Sequence, residues 1–331
     1  MRILTANRSV YAWLSTLTLA LALTACAPEL PGDPWLVQAP TVLAVSAGPA
    51  EVKPGQVASL RALIADPQQG TANAELSWFS CSARPKVAEA APVAAACLGG
   101  DPEWVQPVGL GQTASWTVPV EACAVFGPSP PPAKDGQPAG RPADPDATGG
   151  FYAPLRLNAP QLGQDPILFR LRLRCALGGA TQAQSVQYNQ QYRINTQPDL
   201  QSLAVQGPAP SVVLSGPAPW KVQVKRGSAL QLRTNWKDCP DTSPCGGAET
   251  YLRFDPATRI LGPQREAIRI SWYATGGDLR HASTGRSPAD TSNFSTNDWT
   301  APALAGSHWL WLVVRDDRGG VSWAQVAVEV N

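Results

Sequence analysis

The sequence is poor in the residues that catalysis and long helices call on. Its 331 residues hold two histidines and one methionine, and only 15% are charged. An imidazole base would therefore have to be His281 or His308. No G-x-S-x-G nucleophile elbow occurs, nor any C-x-x-C pair of the kind that holds zinc, and the cysteines lie mostly far from either histidine. There is no block of lysine or arginine and the net charge is +1, which argues against nucleic acid as a partner. No apolar run reaches the roughly 20 residues a helix needs to cross a bilayer. Long helical periodicity is also missing, while the 33 prolines and 28 glycines break helices and favour turns. These absences leave an all-β chain with many loops and no cofactor site.

The N-terminus has a pattern of its own. Arg2 and Arg8 are the only charges ahead of a mostly apolar run from Val10 to Leu23, which reads as a secretory signal over residues 1–25. The next residues, Leu23-Thr24-Ala25-Cys26, resemble the lipobox of bacterial lipoproteins. That resemblance implies cleavage before Cys26, a palmitate-bearing diacylglycerol anchor on its sulfur, and a membrane as the first partner. Ala27 after the cysteine implies, by the same resemblance, sorting to the outer membrane. Residues 26–39 carry Pro28, Pro31 and Pro34 and are expected to be a tether.

Export also frames the cysteines. Lipid on Cys26 leaves six of the seven: Cys81, Cys97, Cys123, Cys175, Cys239 and Cys245. An even set in an exported chain suggests up to three disulfides. Cys239 and Cys245 are close enough in sequence to close a small ring. Among the other four, Cys81 and Cys175 end neighbouring antiparallel strands at opposite ends of a sheet, which disfavours joining them. Cys81 with Cys97 and Cys123 with Cys175 is the preferred pairing.

The body repeats itself. Lys53-Pro54-Gly55 followed by a strand to Asp66 is answered by Lys225-Arg226-Gly227 and a strand to Asp238, with equal spacing. Leu76-Ser77-Trp78-Phe79 is answered by Ile270-Ser271-Trp272-Tyr273. Ser115-Trp116-Thr117 matches Asp298-Trp299-Thr300, although Phe151-Tyr152-Ala153-Pro154 competes for that place. Ile167 to Cys175 alternates with period two and aligns with Trp309 to Arg315, each followed by a double glycine and a last β-rich segment. The pattern resembles immunoglobulin-like or PKD-type domains of cell-envelope proteins, without the Cys-Trp-Cys spacing of antibodies. The resemblance implies two tandem β-sandwiches, over residues 40–197 and 200–331. The first carries a Pro/Gly-rich insertion at 127–150 that contains seven prolines.

Candidate chemistry is thin. Asp278 lies near His281, but in a turn-like segment that looks solvated. Asp316-Asp317 invites a calcium reading, with Asp278, Asp290 and Asp298 as further carboxylates, but flanking Arg315 and Arg318 make a plain hairpin turn the simpler one. Trp309 and Trp311 share a sheet face, and Trp323 lies across the hairpin from them. Exposed, such a strip would stack on sugar rings; buried, it would be packing. The expectation is a non-enzymatic envelope lipoprotein with a structural, adhesive or accessory role toward an envelope protein or glycan. Carbohydrate or peptidoglycan binding through Trp309, Trp311 and Trp323 is the alternative.

Overall fold

The computed structural model describes residues 33–83, 93–127, 150–208, 210–239, 245–255 and 257–331. The chain divides into two units, Met1–Pro34 and Trp35–Asn331. The signal, the lipobox and Cys26 lie outside the described residues, as does nearly all of the 127–150 insertion.

The larger unit is all-β and holds two immunoglobulin-like sandwiches. The first is built from β1 (Thr41–Gly48), β2 (Glu51–Val52), β3 (Val57–Asp66), β4 (Gly70–Thr71), β5 (Ser77–Cys81), β6 (Val105–Leu110), β7 (Thr113–Thr117), β8 (Gly150–Ala159) and β9 (Gln164–Arg174). One sheet joins β1, β3, β4 and β7; the other runs β2-β9-β8-β5-β6. The second sandwich holds β10 (Leu200–Gln206), β11 (Val212–Ser215), β12 (Trp220–Val224), β13 (Ala229–Trp236), β16 (Ile268–Ala274), β17 (Asp278–Leu279), β18 (Ser283–Arg286), β19 (Phe294–Thr300), β20 (Gly306–Asp316) and β21 (Val321–Val330). Its sheets run β11-β10-β13-β19-β17 and β12-β21-β20-β16-β18. A separate hairpin, β14 (Thr250–Asp255) with β15 (Ile260–Arg265), grows out of the loop between β13 and β16.

The repeat is structural as well as sequential. In both copies a short strand, β2 or β12, pairs parallel with the last strand. Ala58 sits opposite Trp116 as Leu230 sits opposite Trp299, so Trp116 is the true counterpart of Trp299. Trp78 and Trp272 fill the two cores, and each indole N–H finds an acceptor, the Gly111 carbonyl at 2.7 Å and the Thr284 hydroxyl at 2.8 Å.

Two parts of the expected repeat are corrected. Ile167 to Arg174 is the last strand of its sandwich and corresponds to β21, not to β20; β8 is the counterpart of β20. The segment after Gly178-Gly179 is not β-rich but a helix, Gln182–Gln191, which links the sandwiches. Thr181 caps it: its hydroxyl accepts from the Gln184 N–H, while the Gln184 side chain accepts from the Thr181 N–H.

The sandwiches pack sheet on sheet. Leu60 and Ile64 of β3 point into the first core, while Leu63 and Ala65 point out. Along β20, Leu310, Leu312 and Val314 fill the second core, and Trp311 and Val313 point out to meet Leu63, Ala65 and Ala44. Strands covered on both faces read as unbroken apolar runs, which explains Ala62-Leu63-Ile64-Ala65 and Trp309 to Val314. The expected tether also takes part. Trp35 (6% exposed) belongs to the second core, and Val37 donates to the Ala274 carbonyl while Ala274 donates to that of Trp35.

Candidate functional site

Three disulfides join Cys81 to Cys97, Cys123 to Cys175 and Cys239 to Cys245. Around the first, Cys81 and Cys97 pack with Val93 and Val105 in a small apolar cluster of their own. The second ties the short helix Ala122–Phe126 to the residue after β9.

The tryptophan strip does not form an exposed line. Trp311 is fully buried and its indole donates to the Gly70 carbonyl at 3.0 Å. Trp309 stacks beside it at 6.5 Å and covers Gly70, whose φ is +80°. Half-buried Trp323 carries the Arg61 guanidinium over its ring at 4.5 Å. Residues proposed to stack on sugar instead glue one sandwich to the other.

The histidines and carboxylates do not converge either. His281 is exposed, with its backbone held at both N–H and C=O by the Asn297 side chain. His308 has the Thr275 hydroxyl 3.4 Å from Nδ1. Asp298 pairs with Arg280 at 3.0 Å and Asp290 with Arg286 at 3.1 Å. Among the described residues, no group of three or more His, Cys, Asp or Glu is placed to hold a metal ion.

What does converge is a buried charge cluster at the domain junction. Glu51 on β2 and Arg172 on β9 come from the first sandwich. Tyr192 and Asn195 come from the linker after the helix. Glu249, Glu266, Asp316 and Arg318 come from the second sandwich. The Tyr192 hydroxyl donates to Glu51 at 2.7 Å and accepts from Arg172 at 3.3 Å and Arg318 at 3.4 Å. Asn195 bridges the sandwiches, donating its backbone N–H to Glu51 at 3.0 Å and its amide to Asp316 at 3.2 Å. Arg318 forks between Glu249, at 2.7 Å, and Glu266, and also donates to the Arg193 carbonyl.

Four carboxylates thus face two guanidiniums with almost no water access. Charge excess in a closed space is relieved by protonation. Burial pushes the Asp316 carboxyl up to about 6, against the pull of the Gly320 N–H and Arg318. Burial also lifts Glu266 above the usual carboxylate range, although Arg318 opposes the rise. Burial alone would lower Arg318, but neighbouring Glu266 and the tyrosines hold it firmly protonated. Buried carboxylates already tied to arginine and backbone do structural work, joining the two bodies and the linker between them.

Beside this cluster lies an open recess of about 730 Å³ between Arg174, the end of the linker helix and the β14–β15 hairpin. Its floor is aromatic. Tyr188, Tyr192 and Tyr251 form a small core there, and Arg174 lies 5.3 Å over the Tyr192 ring.

The sequence reading missed the cluster and the recess. The arginine alternation from Arg170 to Arg174 was a usable signal, since period two puts all three on one sheet face. Thr181 and Gln184, spaced as a capping box, were a second, marking the helix.

No family model matches this chain, and no curated protein matches it in sequence. Solved structures give loose likenesses. The adhesin InvE of Yersinia pseudotuberculosis is 12% identical over 86% of this chain and 58% of that one, with a TM-score of 0.21. The Escherichia coli adhesin FdeC is 12% identical over 89% and 67%, at 0.17. A beta-glycosidase from Bacteroides vulgatus is 10% identical over 91% and 24%, at 0.22. The chain therefore spans 58% of InvE and 24% of the glycosidase, and likenesses this loose carry no functional argument.

Proposed function

We propose that this chain is a non-enzymatic lipoprotein of the cell envelope, held to the outer membrane by lipid on Cys26. Its two immunoglobulin-like sandwiches act as one rigid accessory or adhesive body toward an envelope protein or glycan. The observation that carries the reading is the junction. Apolar sheet faces, buried ion pairs and a helical linker are all used to fix one sandwich on the other. Rigid mutual placement is what a presenting platform needs, and it lowers the entropic cost of binding a partner across both domains.

The tether supports the same picture from the other side. Eight residues lie between Cys26 and Trp35, so a lipid anchor at Cys26 would be joined to the second sandwich by a short stretch of chain. Changing Cys26 to Ala is expected to abolish palmitate labelling and release the protein from membranes; unchanged labelling would refute the anchor. Crosslinking in intact envelopes is expected to capture a discrete protein or glycan. Sugar binding through Trp309, Trp311 and Trp323 is not part of this proposal, because Trp311 is inaccessible.

A further inference from the structure

We infer that the recess beside Arg174 binds an oxyanion carried on a sugar, a carboxylate or a phosphate. Its lining combines Arg174 and Arg193 with Asn189, Gln190, Gln191 and Thr250, and no aspartate or glutamate is among the described lining residues. Neither arginine makes an ion pair among the described residues. This sets the recess apart from a second hollow along the junction, where Asp316 and Asp317 offset Arg170 and Arg315.

The surroundings prepare both arginines for such a ligand. The Arg174 guanidinium lies over the Tyr192 ring, a cation–π contact that favours one placement of the side chain, and a guanidinium so placed can take a carboxylate or phosphate as a bidentate partner. Arg193 lies in the segment whose backbone is pinned by Arg318, so its own stem starts from a fixed point. The buried carboxylates behind the wall are held by Arg172, Arg318 and backbone N–H groups, and none of them lines the recess. Side-chain amides and a threonine hydroxyl around two guanidiniums suit the hydroxyls of a sugar that carries the anion. A neutral sugar would leave both arginines without a counter-charge.

The inference deepens the accessory-binding reading and rests on it for the setting, not for the chemistry. Calorimetry on the soluble body (residues 27–331) would use trigalacturonate, glucose 1-phosphate, inorganic phosphate and neutral cellotriose as probes. One of the two anionic sugars is expected to bind at one site per chain, more tightly than inorganic phosphate or cellotriose, and less tightly as salt rises. Which anionic sugar binds tells carboxylate from phosphate. Arg174→Gln and Arg193→Gln are each expected to raise Kd about tenfold or more. Arg280→Gln, which removes a surface charge elsewhere, should leave it unchanged. The site is overturned if no anionic sugar binds, if cellotriose binds as well, or if the Arg174→Gln, Arg193→Gln double variant keeps its affinity while remaining folded by circular dichroism. Wild-type protein that crosslinks in the envelope but ignores every probe would refute the recess alone. Probe binding by a protein that is neither anchored nor crosslinked would refute the envelope reading alone.

Discussion

Replacing Arg318 with Met keeps the length of the side chain and removes its charge from the centre of the junction. Arg318 is 1% exposed and is the shared partner of Glu249 and Glu266. Taking away one member of a buried ion pair costs about 3–5 kcal/mol, because the partner loses its counter-charge and must either stay charged in a medium that cannot solvate it or take up a proton. For a body of roughly 300 residues unfolding at about 2.1 cal/mol/K per residue, that corresponds to a fall in Tm of about 5–8 °C. Differential scanning calorimetry of the soluble form at pH 7 would read the shift directly. Removing the carboxylate charges as well should reverse the effect. Adding Glu249→Gln and Glu266→Gln to the Met variant should recover at least half of the loss, since the stranded charges disappear while the backbone donors keep an amide oxygen. A fall below about 2 °C, or a fall that the two glutamines do not reverse, would mean that Arg318 acts through packing and that the ionic account is wrong.

Two further outcomes follow from the same interface. Asp316 has a folded pKa of about 6 against an ordinary 3.8, so between those values the folded protein keeps a proton that the unfolded chain releases. Its contribution is complete below about pH 4 and is lost as pH rises through 6, by up to about 3 kcal/mol. Urea midpoints taken from pH 4 to pH 8 should trace that loss and should flatten in Asp316→Asn; a wild-type profile without the decline would contradict the assignment. Gly70→Ala would put a methyl group 2.6 Å from the Trp309 ring at a backbone φ of +80°, and is expected to destabilise by about 1–3 kcal/mol. A chemical denaturation curve that matches wild type would show that the Trp309 contact is not maintained in solution.

How far the fold could be read from sequence depends on which face of each strand is asked about. Inward residues announced themselves: Trp78, Trp272, Trp116 and Trp299 occupy equivalent places because each sandwich needs large side chains between its sheets. Strand β8 was read only as a rival for the Trp116 position, because Phe151-Tyr152-Ala153-Pro154 has the same aromatic-then-proline order; its Pro154 is tolerated since β5 pairs only with Leu155 to Asn158. The double glycine at Gly178-Gly179 then suggested a hairpin where the chain instead enters a helix. The site was harder still. Glu51, Arg172, Asn195 and Arg318 are scattered along the chain and become neighbours only once two sandwiches and a linker are stacked. The sequence contains the pieces of that cluster but no local pattern that assembles them.

The strap formed by Trp35 and Val37 sets an order of events. Its partners, Trp272 and Ala274 among them, lie on β16, more than 230 residues further along the chain, whereas the strap itself is among the first parts of the folded body to be synthesised. As the chain is made, the first sandwich is complete in sequence while Trp35 still has nowhere to go. The indole must wait, solvated, until a much later stretch of chain arrives, and docking it then closes a loop around the whole first sandwich. Burial of the N-terminal strap is thereby tied to completion of the second sandwich, and a chain that has not finished folding still displays an unburied tryptophan.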